Sequence, residues 1–70
     1  MLTEEQKREF EDVFNFYSLQ KFFDSESRAE LIAKMAGLKS AVSILGYKFK
    51  HNCIAKSDGI EYIEYVLMRI

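Results

Sequence analysis

The stretch that decides the fold runs from Ser27 to Gly46 and reads SRAELIAKMAGLKSAVSILG. Large apolar residues recur along it at steps of four, three, four and three; they are Leu31, Met35, Leu38, Val42 and Leu45. This is the a/d spacing of a helix that packs against other helices, whereas a strand would scatter these side chains over both faces. The pattern predicts a helix that starts near Arg28 and ends at Gly46, a residue suited to the left-handed cap position.

The residues before this stretch predict a first helix. Thr3 followed by Gln6 has the form of a capping box, and a stripe at helical spacing supplies core candidates. These candidates are Phe10, Val13, Phe14 and Tyr17. The segment at 23–27 breaks the apolar spacing with short polar side chains, which indicates a tight connection, and Ser27 with Glu30 repeats the capping-box form. We therefore expect an antiparallel helical hairpin from about Thr3 to Gly46.

A second apolar stripe on the first helix consists of Phe16, Leu19 and Phe23. On a helical wheel it lies roughly 120° or more from the first stripe. One explanation is that the helix lies between two neighbours, or bends or ends before Phe22. The other is that these side chains belong to a surface for a partner or a second copy, because large rings bury much area with few rotamers to freeze.

The second helix also carries small residues at every fourth position, namely Ala29, Ala33, Gly37 and Ala41. Small side chains allow another helix to approach closely. This pattern is typical of an ordinary helix contact within a fold, and the alternative is the seam of a dimer. Either interpretation gives the second helix neighbours on both sides.

Residues 47–57 predict an irregular connection in which aromatic and basic residues alternate at the start. Rings combined with lysines are used by nucleic-acid-binding platforms. A nucleic-acid interface is therefore an alternative to a solvated loop. Its residues would be Lys39, Lys48, Phe49, Lys50 and Lys56, with Lys34 and Tyr47 nearby.

The last segment, from about Asp58 to the C-terminus, predicts a third helix. Its core stripe would hold Ile60, Ile63, Leu67 and Ile70, at steps of three, four and three. The rival is a β-hairpin, because Asp58-Gly59 is a favoured two-residue turn and β-branched residues follow it. Side chains off the helical stripe would be surface or partner contacts; they are Tyr62, Tyr65, Val66 and Arg69.

The fold class expected from these patterns is all-α, a small three-helix bundle formed by residues 1–70 as a single domain. The heptad stripe of the second helix would be buried between the other two, with Leu38 at its centre. The alternative is an α+β fold in which the chain ends in a β-hairpin.

Composition limits the possible functions. The net charge of −1 is unevenly distributed, because residues 31–57 hold five lysines and no acid while both flanking segments are acidic. The start of the chain lacks a secretory signal pattern and the longest uncharged runs are too short to span a bilayer, so we expect a cytoplasmic protein without membrane contact.

No constellation for chemistry is evident. Cys53 and His51 are the one nucleophile and base pair within reach, without an orienting carboxylate or an oxyanion-donating turn. We expect Cys53 to be a small buried residue, and we expect no catalytic site, metal or cofactor. The sequence thus favours a non-enzymatic protein-interaction module, a small adaptor or regulator that acts as a homodimer.

Overall fold

The chain forms two helices followed by two strands. A computed structural model describes the backbone of residues 1–70 and the side chains of all but Phe22 and Ser57. Helix α1 spans Glu4–Phe23, helix α2 spans Arg28–Ile44, strand β1 spans Tyr47–Ser57 and strand β2 spans Ile60–Arg69. The strands pair as an antiparallel hairpin, and the helical hairpin packs on one face of it. The fold class is α+β.

The predicted helical hairpin is confirmed. The capping box at the start of α1 is complete: the Thr3 hydroxyl accepts from the Gln6 N–H at 3.1 Å, and the Gln6 side chain accepts from the Thr3 N–H at 3.0 Å. Ser27 precedes α2 but makes no side-chain cap. Instead, the Ser27 N–H donates to the Asp24 carboxylate at 3.1 Å. Gly46 ends the hairpin in the left-handed region, with φ of 88°.

The three-helix bundle is wrong, because the C-terminal half of the chain is a β-hairpin. The irregular connection predicted at 47–57 is strand β1, and the third helix predicted from Asp58 is strand β2. Asp58 and Gly59 form the turn with φ of 52° and 79°. Positive φ at both central residues defines the turn whose twist matches that of paired strands. The alternative α+β fold is therefore the one that the chain adopts.

A bulge interrupts the regular alternation of the hairpin. Tyr47 lies opposite Arg69, Phe49 opposite Leu67 and His51 opposite Tyr65, but Cys53 lies opposite Glu64, so one extra residue is accommodated between His51 and Cys53. An extra residue reverses which face the following side chains occupy. The strand period of two is consequently broken within β1, so the alternation that would identify a strand cannot be recognised in the sequence.

The core lies between the helices and the hairpin. Its fully buried side chains are Phe14 and Val42, and the buried apolar set is completed by Leu31, Met35, Tyr47 and Leu67. Three members of the predicted heptad stripe are thus buried. Leu38, expected at the centre, is half-buried, and Leu45 is exposed. Val42 packs with Tyr47 and Leu67 of the strands, in the place where a third helix was expected.

Several residues predicted as core lie at the surface. Val13 of α1 is exposed, since it faces the opening between the two helices. Ile63 in β2 and Ile70, one residue beyond the end of β2, are exposed as well. Their helical spacing with Leu67 therefore has no structural consequence.

Helix α1 covers the outer edge of β2 with polar side chains. The Asn15 amide forms two hydrogen bonds with the Tyr65 backbone, accepting from its N–H at 2.7 Å and donating to its carbonyl at 2.9 Å. The Glu11 carboxylate accepts from the Leu67 N–H at 2.7 Å. An uncovered strand edge leaves such groups unpaired. These contacts fix α1 along β2.

Two glycines should respond oppositely to alanine. Gly59→Ala is expected to lower the free energy of unfolding by about 1 kcal/mol, because a Cβ is strained at positive φ. Gly37→Ala is expected to raise it by up to about 1 kcal/mol, because alanine is the better helix former and nothing lies within 4 Å of the added Cβ. Urea unfolding at one low protein concentration measures both, and equal effects of the two substitutions would contradict the turn geometry.

Candidate protein-interaction surfaces

The outer face of α1 presents large aromatic side chains to solvent. Phe16 is 59% exposed and Phe23 is 54% exposed, while Leu19 between them is half-buried. At 100° per residue, the two rings lie on nearly the same line of the helix, roughly 160° to 180° from the buried Phe14. The predicted second stripe therefore does not turn into the core.

The residues predicted as partner contacts on the C-terminal segment are not brought together with that stripe. The Tyr65 ring packs edge-on against Phe14, with centroids 5.0 Å apart, on the face that the helices cover. Tyr62, three residues earlier in β2, lies on the opposite face of the hairpin by strand alternation. Arg69 is exposed at the end of the strand. Among these three, Tyr65 contributes to the core.

The outward face of α2 is uncharged along its whole length. A sector of roughly 140° on the helical wheel lacks any charged residue. Its members are all exposed, and they are Ala29, Ile32, Ala33, Ala36, Gly37, Ser40, Ser43 and Ile44. Ile44 is 86% exposed and Ile32 is 50% exposed. The sequence predicted that these small residues contact another helix within the fold, and this is wrong, because no described part of the chain covers them.

An open groove lies between the two helices. Its volume is about 210 Å³, and its walls are formed by Glu9, Phe10, Val13 and Leu38. Sequence reasoning missed it, because it placed Val13 and Leu38 in the core. A shallow depression of about 180 Å³ lies on the hairpin beside Ile54 and Ile63.

The residues of the predicted nucleic-acid interface do not form one platform. The Phe49 ring stacks on Phe14 with centroids 3.9 Å apart, beneath the helices. Lys48 and Lys50 point to the other face of the hairpin. Lys56 lies 3.6 Å from the Glu61 carboxylate, and the Lys39 ammonium lies 5.9 Å from the centroid of the Phe14 ring. Lys48 and Lys50 are therefore on the face of the hairpin opposite the stacking ring.

Cys53 is exposed, so the prediction that it is buried is wrong. The bulge places it beside Glu64, and the thiol donates to that carboxylate at 3.3 Å. This hydrogen bond, followed by desolvation and the negative charge of Glu64, raises the pKa of the Cys53 thiol. A raised pKa reduces the thiolate fraction, and thiolate is the nucleophilic form. The neighbour that the sequence suggested, His51, lies on the far side of the bulge.

Side-chain chemistry elsewhere is sparse. Within the part of the chain that the structure describes, no three His, Cys, Asp or Glu residues come together in a way that could hold a metal ion. No described helix is both long enough and apolar enough to cross a membrane. Comparison with protein-family models, with curated proteins and with solved structures finds no match to this chain.

Proposed function

We propose that this chain is a non-enzymatic protein-interaction module, a small cytoplasmic adaptor or regulator that binds another protein through α1. The observation that carries the proposal is the exposure of Phe16 and Phe23 two turns apart on one face of a helix that is already anchored by its other face. Exposed aromatic side chains are the usual anchors of protein interfaces.

The geometry of α1 supports a preformed docking surface. Its inner face is held by the stack of Phe14 on Phe49 and by the two hydrogen bonds of Asn15. The outer stripe is thus presented on a rigid element, and a partner would not need to order it. Less ordering on binding leaves more of the contact energy as affinity.

Homodimer formation is the second part of the proposal, and the uncharged face of α2 supports it. A helix face without charges can be buried without removing ions from water, which is the costly step in docking polar surfaces. The exposed Ile32 and Ile44 lie twelve residues apart, about 18 Å along the helix, so an antiparallel copy would cover both.

The test pairs an interface variant with a matched control. Phe16→Ala combined with Phe23→Ala is expected to abolish capture of the partner from host lysate by the immobilised chain, because both aromatic anchors are lost. The control combines Ile54→Ala with Ile63→Ala, which removes exposed apolar surface from the hairpin instead. The homodimer is tested by light scattering of the wild-type chain over a concentration series. The molar mass should be twice the 8.2 kDa of one chain.

Docking through α1 and homodimer formation are tested by separate measurements, so each can be refuted without the other. Capture that survives the double phenylalanine variant, with helix content unchanged by circular dichroism, would remove α1 as the docking surface. A mass that stays at one chain throughout the series would remove the homodimer and leave the module monomeric.

A further inference from the structure

The two outer edges of the β-hairpin differ in whether other parts of the chain pair with their backbone groups. The outer edge of β2 is occupied by α1, whose Asn15 and Glu11 side chains pair with the backbone of Tyr65 and Leu67. The outer edge of β1 has no such cover: among the described side chains and backbone groups, none forms a hydrogen bond with it between Lys48 and Lys56. One side of the sheet therefore ends in unpaired backbone groups.

The register identifies which groups these are. The Tyr65 backbone points away from β1, because both its N–H and its carbonyl are bound to Asn15. Residues directly opposite each other in an antiparallel pair direct their backbone groups alike, and the direction alternates along each strand. His51, opposite Tyr65, and Phe49, opposite Leu67, hence direct their N–H and carbonyl groups outward. The edge is regular up to His51, where the bulge begins.

The charge around this edge is positive. Strand β1 contains three lysines and no acid. Lys56 is paired with Glu61, whereas Lys48 and Lys50 have no ion pair among the described residues. On the other face of the sheet, the Lys39 ammonium lies near the Phe14 ring that stacks on Phe49. Lys48 and Lys50 thus lie on β1 itself, and Lys39 lies on the opposite face of the sheet, near the Phe14 ring that covers Phe49.

We propose that the outer edge of β1 between Tyr47 and His51 binds an extended acidic peptide segment of another protein as a third strand. The Phe49 and His51 backbone would form the ladder hydrogen bonds, and alternate carboxylates of the peptide would lie beside Lys48 and Lys50. When a peptide is added to a sheet as a strand, main-chain hydrogen bonds provide the affinity and side-chain pairs provide the selectivity. This site lies on a different element from the α1 stripe and does not depend on it.

A second copy of the chain is a poorer occupant. Edge-to-edge pairing of two β1 strands would bring two lysine-bearing edges together, and like charges side by side oppose pairing. Lysines and bulges are the features by which proteins keep free edges from pairing with each other. The same lysines attract an acidic strand.

The first experiment uses the intact chain and a synthetic probe, an end-capped eight-residue peptide that alternates glutamate and valine. Binding measured by calorimetry should be accompanied by slower hydrogen exchange of the Phe49 and His51 amides. The same peptide with an N-methylated backbone should bind about tenfold more weakly or not at all, because it cannot donate hydrogen bonds. A lysine and valine version should not bind.

Three results with such probes would overturn the proposal. Equal binding of the N-methylated peptide would show that charge attraction acts without strand addition. Binding of the lysine version would remove the charge argument. Equally tight binding of a single-stranded oligonucleotide would indicate a general polyanion surface.

Variants of β1 give a matched pair. His51→Pro removes an outward N–H without removing a bond to β2, since proline is tolerated where the N–H of an edge strand faces solvent. It should weaken peptide binding about tenfold, whereas His51→Ala, which keeps the N–H, should not. Unchanged binding by His51→Pro would overturn the proposal.

A second pair tests the charges and separates the two proposals. Lys48→Glu with Lys50→Glu should abolish binding, while Arg8→Glu with Arg28→Glu, the same change in net charge at exposed helix positions, should preserve it. Equal loss in both variants would overturn the local role of β1. Phe16→Ala with Phe23→Ala should still bind the peptide, so failure of the α1 surface leaves this result unaffected.

Discussion

Phe14→Ala is expected to lower the free energy of unfolding by about 3 to 5 kcal/mol, the range for removing a fully buried ring. Phe14 is 0% exposed, stacks on Phe49 with centroids 3.9 Å apart and meets Tyr65 edge-on. Its ring contacts an aromatic side chain of each strand. A 70-residue domain has only a few kcal/mol of net stability, so the variant should be largely unfolded at 25 °C.

The measurement is urea unfolding followed by circular dichroism, and Phe16→Ala is the control. The control removes an equal ring two positions away on the same helix, but from an exposed site, and should change stability by less than about 1 kcal/mol. Similar losses in the two variants would mean that α1 is rotated from the orientation described above.

Asn15→Ala is expected to lower the free energy of unfolding by about 2 to 3 kcal/mol. It removes two hydrogen bonds and leaves the Tyr65 N–H and carbonyl unpaired in a half-buried place, each net bond being worth about 1 kcal/mol and an unsatisfied group more. The Tyr65 amide, which donates to Asn15 at 2.7 Å, should also exchange with solvent faster. Hydrogen exchange followed by NMR measures the local effect, and urea unfolding measures the global one.

Two further variants make the result specific. Asp12→Ala, at an exposed position of the same helix, should change stability by less than about 0.5 kcal/mol. Asn15→Asp keeps an acceptor for the Tyr65 N–H but loses the donor to its carbonyl, so it should fall between wild type and Asn15→Ala. Protection of the Tyr65 amide that persists in Asn15→Ala would show that α1 does not cover the edge of β2.

These two side chains explain how the fold serves the proposed functions. Phe14 and Asn15 anchor α1 by its inner face and by the edge of β2, which leaves Phe16 and Phe23 outward. Because α1 occupies the β2 edge, the free edge of the sheet is that of β1. One helix placement therefore determines both candidate surfaces, the aromatic stripe and the open strand.

The helices were predictable because their signals are local. The Thr3 and Gln6 capping box, the apolar stripe of α2 and the glycine at 46 each act within a few residues along the chain. The Asp58-Gly59 turn is local too, but residues 60–70 also carry helical spacing, so two local signals competed. Burial of Leu67 under the helices and the Asn15 contacts favour the strand. Both depend on distant residues, since Leu67 packs with Val42, 25 positions away, and Asn15 binds Tyr65, 50 positions away.

By itself, the sequence determined the two helices and their short connection, and it identified a second apolar stripe on α1 whose place, inside or outside the core, the structure decided. Only the tertiary structure decided that β1 is a strand, that Phe49 is covered by Phe14 and separated from Lys48 and Lys50, and that one edge of the hairpin is open. The physical reason is the separation along the chain of the residues that interact. Helix hydrogen bonds join residues four apart, whereas strand pairing and edge cover join distant residues, and one extra residue at the bulge shifts every face beyond it.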